Sequence, residues 1–121
     1  MKINDVIAEV RSLCRGKYDD EQLKKWLSDV DALIFEEILK THEGAPEGEF
    51  IPYTDGESEL LVPYVYSEMY RLYLQAQIYL SNGEINDYNN SAALYAAART
   101  KYVNWYNRTH MPKQPEHYIT Y

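Results

Sequence analysis

Between Ile85 and Tyr106 the residues Ile85, Tyr88, Ala92, Tyr95, Arg99, Tyr102 and Tyr106 follow one another at alternating steps of three and four. That spacing is an a/d-type seam, and it commits the segment to a long helix with one side against a partner helix. Arg99 is the one polar intrusion. Ala92, Ala93, Ala96, Ala97 and Ala98 favour the helix and leave room for a close neighbour. Ser81-Asn82-Gly83-Glu84 reads as a tight turn just before it. The preceding stretch, about Tyr64 to Ser81, is helical in pattern, with Tyr66, Met69, Tyr70, Tyr73, Leu74, Gln77 and Leu80 on one face. So short a turn predicts that these two helices run antiparallel.

The first half of the chain predicts two more helices. Ile3, Val6, Ile7, Val10, Leu13 and Cys14 mark one face of a short first helix, with Asn4 or Asp5 as its cap and Gly16 just past its end. Asp19 or Asp20 caps a second, whose apolar stripe is Leu23, Trp26, Leu27, Val30, Leu33, Ile34 and Ile38. Its polar face carries Lys24, Lys25, Asp29, Asp31, Glu36 and Glu37, and it should stop near His42, before Gly44 and Pro46. Residues 43–63 break the pattern. Phe50-Ile51-Pro52-Tyr53 and Leu60-Leu61-Val62 flank an Asp55-Gly56 turn, and Pro52 and Pro63 limit each run. The expectation is an all-α fold of four helices, including a long antiparallel helical hairpin, with a small β-hairpin or extended arm between helices 2 and 3. Residues 1–113 form a single helical domain and 114–121 a C-terminal tail.

Several functions are disfavoured at this level. A net charge of −7 argues against binding nucleic acid by phosphate neutralisation. One cysteine leaves no disulfide framework or Cys-rich zinc site. No apolar run approaches a membrane span, and Met1-Lys2-Ile3-Asn4-Asp5 lacks the apolar stretch of a signal peptide, so a cytosolic site of synthesis is expected. His42, His110 and His117 have no metal-ligand spacing, Cys14 lies on an apolar face, and the glycines never cluster into a phosphate loop. No catalytic residue, cofactor or metal is expected, and the chain does not read as an enzyme. His110, Arg99 and Tyr102 near one helix end are the nearest approach to a catalytic group, and Arg99, Lys101, Arg108 and Lys113 the nearest to a nucleic-acid patch.

Two features point toward contacts. The chain has 13 Tyr against 2 Phe and 2 Trp. So many rings with an apolar body and a polar tip suit a protein interface, and Phe50, Tyr53, Tyr66, Tyr73, Tyr118, Ile119 and Tyr121 are the interface candidates. Charge is also uneven, with 15 acids and 7 bases in residues 1–63 against 4 acids and 5 bases in 64–121. Glu47, Glu49, Asp55, Glu57 and Glu59 are expected to form an acidic surface that repels nucleic acid or meets a basic partner.

The stretches Leu60-Leu61-Val62-Pro63-Tyr64, Tyr73-Leu74-Gln75-Ala76-Gln77-Ile78, Asn82-Gly83-Glu84, Tyr88-Asn89-Asn90-Ser91 and Trp105-Tyr106-Asn107-Arg108-Thr109-His110-Met111-Pro112 resemble a group of small proteins. These are encoded in the capsid–portal–tail gene blocks of tailed phages and prophages of low-GC Gram-positive bacteria. More loosely, size and helical layout resemble the head–tail connector (adaptor) family. The resemblance implies a virion structural subunit that assembles with copies of itself and with portal, capsid or tail proteins. It also implies a location in the virion, and in the host bacterial cytoplasm during assembly, with at most a passive DNA channel. A cytosolic protein-binding adaptor with no catalytic activity is the alternative.

Overall fold

The computed structural model describes residues 1–14 and 18–113. It contains α1 (Ile3–Leu13), α2 (Asp20–Ile34), a π-helical turn (Phe35–Leu39), a 3-10 turn (Tyr64–Tyr66), α3 (Glu68–Ser81) and α4 (Ile85–Thr109). The helical class and the four helices of the sequence reading are present, and no β-strand occurs among the described residues. Residues 15–17 and the tail from residue 114 lie outside them, so the Gly16 helix stop and the tail residues Tyr118, Ile119 and Tyr121 do too.

α1 begins earlier than expected. Lys2 is the residue before the helix, and the Asp5 carboxylate accepts the Lys2 N–H at 3.3 Å. The cap of α2 is Asp19, whose Oδ1 accepts the Gln22 N–H at 2.9 Å. The buried faces of α1 and α2 follow the sequence pattern with two departures, since Leu13 and Leu33 are 57% and 54% exposed. α2 runs into the π turn, where the Lys40 N–H reaches back five residues to the Phe35 carbonyl at 2.9 Å. Thr41 and His42 follow directly.

α3 is the central helix. The sequence suggests one apolar face, but Met69, Tyr70, Leu72, Leu74, Ala76 and Ile78 are all buried. α3 packs against α1 and α2 as well as α4, so it is covered on more than one side. Leu80, placed on the predicted face, is 45% exposed near the end of the helix. α4 packs along α3, with Tyr73 on Tyr95 at 5.3 Å between ring centroids. Farther on, Tyr66 of the 3-10 turn meets Tyr102 at 6.0 Å and Trp105 at 5.4 Å. The seam of α4 is therefore unequally covered. Tyr102 and Tyr106 are buried, Tyr88 and Tyr95 are half-buried, and Ile85 is 52% exposed. Arg99, the polar member, pairs with Glu37 of the π turn at 2.9 Å.

Residues 43–63 form an extended segment laid on the helices. The Asp55-Gly56 turn exists, with the Ser58 N–H on the Asp55 carbonyl at 3.0 Å. The flanking runs do not pair with each other, because their donors and acceptors have other partners. The Ile3 N–H reaches the Ser58 carbonyl at 3.2 Å, the Asn4 N–H the Gly56 carbonyl at 2.9 Å, and the Leu60 N–H the Met1 carbonyl at 3.0 Å. The result is isolated antiparallel bridges, Lys2 with Glu59 and His42 with Pro112, in place of a hairpin.

Leu74 and Leu33 occupy similar positions in the sequence pattern but opposite ones in space. Leu74→Ala should lower the unfolding free energy by about 2–5 kcal/mol by leaving a core cavity. Leu33→Ala should change it by no more than about 0.5 kcal/mol. Urea unfolding of both variants checks this, and equal losses would show that Leu33 is covered.

Candidate functional site

In the sequence Asp31 sits on the polar face of the second helix, yet it is completely buried. No cation among the described residues pairs with it. Tyr70 Oη donates to Oδ1 at 2.6 Å, while Tyr53 Oη and the Leu61 N–H donate to Oδ2 at 2.5 and 3.0 Å. The Tyr70 hydroxyl in turn accepts the Val62 N–H at 2.9 Å, and Ser28 Oγ accepts the Tyr53 N–H at 3.0 Å. One carboxylate on α2 thereby holds both ends of residues 53–62 and the first turn of α3. Burial raises the Asp31 pKa above its ordinary 3.8, against the opposing pull of the hydrogen bonds from Tyr53, Tyr70 and Leu61. Burial, and then the Asp31 charge, push the Tyr53 and Tyr70 phenols up, so both stay neutral donors. A signal for this site exists in the sequence, because Leu27, Asp31, Ile34 and Ile38 follow steps of four, three and four. Asp31 is in phase with the apolar stripe.

A second buried polar group closes the other end of the molecule. His42 is 5% exposed. Its Nδ1 lies 2.6 Å from the Ile38 carbonyl and its Nε2 lies 2.6 Å from Asn107 Oδ1. The ring meets Tyr106 edge-on at 4.8 Å, and His110 stacks on the other side of that system, 3.9 Å from Tyr106. His42 thus ties the end of α2 to the end of α4. The buried side-chain polar atoms of the described residues all have hydrogen-bond partners.

The interface candidates are engaged within the chain where they are described. Phe50 is half-buried against Phe35 and Tyr53, at 5.9 and 5.3 Å between centroids. Tyr53 holds Asp31. Tyr66 packs on Tyr102 and Trp105. Tyr73 packs on Tyr95, and its hydroxyl accepts the Gln77 side-chain N–H at 2.8 Å. Among the described tyrosines only Tyr64 is exposed, at 77%. The described tyrosines other than Tyr64 are thus used mainly inside the molecule, two of them, Tyr53 and Tyr70, with hydroxyls on the Asp31 carboxylate.

Glu47, Glu49, Asp55, Glu57 and Glu59 are all exposed, and two of them are neutralised by ion pairs. Glu57 pairs with Lys2 at 3.1 Å and accepts the Asn4 side-chain N–H at 3.0 Å. Glu59 pairs with the Met1 ammonium at 3.0 Å, and the Asp55 carboxylate accepts the Glu57 N–H at 2.9 Å. Glu47 and Glu49 are exposed, with no ion pair among the described residues. His110, Arg99 and Tyr102 make no hydrogen bond or ion pair with one another: Arg99 pairs with Glu37, while Tyr102 and His110 each pack on Tyr106 and Trp105. No group of three or more His, Cys, Asp or Glu side chains among the described residues could hold a metal ion. No helix among them is long and apolar enough to cross a membrane.

Tyr70→Phe removes a carboxylate partner and leaves the Val62 N–H without an acceptor, which should cost about 1–3 kcal/mol of stability. The pH dependence of Asp31→Asn has a definite sign. The raised native pKa of Asp31 means that ionisation opposes folding above it, and falling pH relieves this through the window down to 3.8. Asparagine has no such relief, so the variant should lose stability relative to the wild type as pH drops. Urea unfolding of both proteins from neutral pH to about pH 4 measures it, and a constant difference would contradict the raised value.

No protein-family model, curated protein or solved structure matches this chain.

Proposed function

We propose that the protein is a structural subunit of a phage or prophage particle, in the role of a head–tail connector, and that it works by contact rather than by chemistry. The observation that carries this reading is the 3-10 turn. Tyr64 and Val65 are 77% and 80% exposed on a turn fixed by its own hydrogen bonds. The Tyr66 N–H reaches the Pro63 carbonyl at 2.9 Å, and the Ser67 N–H and hydroxyl both reach the Tyr64 carbonyl, at 3.0 and 2.7 Å. An aromatic ring and a branched aliphatic side chain, held rigidly in water beside a well-ordered core, form a pre-organised contact point for another protein.

The rest of the surface is consistent with that role. The titratable side chains that line the described grooves are largely paired with one another, Lys24 with Glu21 and Lys25 with Asp29 in one groove and Arg71 with Glu68 in another. The resemblance over residues 60–113 includes the 3-10 turn and the antiparallel α3–α4 pair that supports it. Glu47 and Glu49 leave a net negative loop that a DNA passage would tolerate without binding. Portal or tail proteins and other copies of the chain are the partners of this reading.

Quantitative mass spectrometry of particles purified from an induced lysogen tests it. The chain should be present in fixed ratio to the portal protein. Val65→Glu should remove it from particles while changing stability by less than about 0.5 kcal/mol. Presence in the cell and absence from particles would overturn the virion role in favour of a cytosolic adaptor.

A further inference from the structure

α4 carries a second seam, on a side that no described residue covers. Asp87, Leu94, Lys101 and Arg108 stand one heptad apart, and Asn90, Ala97 and Asn104 fall between them at steps of three and four. All seven are exposed, Leu94 at 57%. In the whole of α4 only Ser91, Tyr102 and Tyr106 are buried. Asp87, Lys101 and Arg108 enter no ion pair among the described residues, although the other α4 cation on a packed face, Arg99, has found Glu37. Beside the seam, between α3 and α4, lies a groove of about 380 Å³ walled by Leu72, Gln75, Ala98 and Leu94 itself.

The order of residues along this seam makes it complementary to its own reverse. The acid stands near the N-terminus, the bases toward the C-terminus, and small residues in the middle. Two α4 helices crossing antiparallel about a two-fold axis between Ala97 and Ala98 set Asp87 of each copy opposite Arg108 of the other. Leu94 of each copy then falls opposite the stem of Lys101 and beside the groove of the other copy. Ala97 and Asn90 let the backbones approach, and the two helix dipoles oppose. A parallel pairing would set Asp87 against Asp87 and Arg108 against Arg108, which the charges disfavour.

We propose that the outer face of α4 is the interface of a two-fold dimer of this chain, with Leu94 as its apolar plug and Asp87–Arg108 as the pair that fixes antiparallel register. The proposal names a second copy as a partner for the contact role above and uses none of the Tyr64–Val65 surface. Each substitution in such an interface acts twice, once per copy.

Sedimentation velocity on the full chain over a dilution series tests it. The wild type should show twice the 14.2 kDa chain mass and dissociate on dilution. Leu94→Asp should weaken the dimer by at least about tenfold. Asp87→Arg or Arg108→Asp alone should weaken it about tenfold, while D87R/R108D in one chain should return to within about twofold of wild type. All these positions are exposed, so helical circular dichroism should stay unchanged. Ala97→Cys adds an independent reading, because oxidation should cross-link two copies near the axis, whereas Cys14 is buried and leaves the wild type uncross-linked. A monomeric mass up to about 1 mM, a value far weaker than specific dimers show, overturns the proposal. So does an association indifferent to Leu94→Asp, or a double variant that fails to recover. A monomer found in particles overturns the dimer alone, and a dimer absent from particles overturns the virion role alone.

Discussion

Among the described residues Asp31 pairs with no cation, and its partners are two phenols and a peptide N–H. Withdrawing a carboxylate from water costs several kcal/mol even after relaxation. Each hydrogen bond to a charged acceptor returns about 1.5–3 kcal/mol, so the site is tolerable only with all three donors in place. That requirement is geometric. Tyr53 and Leu61 come from the two ends of an extended segment, and Tyr70 comes from α3. The carboxylate can be satisfied only when the segment, α2 and α3 hold one relative position. This explains why a stretch without regular secondary structure lies so firmly on the helices.

The same logic accounts for where the tyrosines are. Phenylalanine would fill the space of Tyr70 equally well but would leave Asp31 Oδ1 and the Val62 N–H without partners, and in place of Tyr53 it would leave Asp31 Oδ2 with the Leu61 N–H alone. Tyr102 and Tyr106 show the complementary use, as buried aromatic bulk between α4, the 3-10 turn and His42. Burial pushes the Tyr102 phenol up to about 12, so it remains neutral under any physiological condition. An excess of tyrosine therefore does not translate directly into a sticky exterior. Among the described residues the exposed apolar side chains are scattered, Leu13, Leu33, Ile51 and Met111 among them, and two places stand out: the adjacent pair Tyr64–Val65 on its fixed turn and the exposed face of α4.

A molecule of this kind fits the work of a contact subunit. Its polar interior is closed, with buried donors and acceptors matched to each other instead of aimed into a cavity. Its charges are largely paired at the N-terminal edge, where Lys2 and the Met1 ammonium meet Glu57 and Glu59. Among the described residues Lys101 and Arg108 on α4 enter no ion pair, as is true of Lys40 and Lys113, and the 43–49 loop and the start of α4 add the unpaired acids Glu43, Glu47, Glu49, Glu84 and Asp87. Such a distribution favours orienting a partner over binding one tightly.

By itself, the sequence determined the four helices, a cap for α2 at Asp19 or Asp20, the turn before α4 and the seam from Ile85 to Tyr106. These depend on local spacing and on residues that start or stop a helix, and both are written in consecutive positions. Only the tertiary structure decided which apolar residues became core. Leu33 and Leu94 stayed outside, while Leu72, Ala76 and Ile78 went inside, because α3 acquired neighbours on several sides and α4 on few. It also decided that the arm forms no hairpin and that Asp31 and His42 lie inside, since the partners of Asp31 are 22 to 39 positions away along the chain and the Asn107 partner of His42 is 65 away. Periodicity shows that a side chain faces inward; it cannot show what waits there, because that partner is set by how distant segments pack.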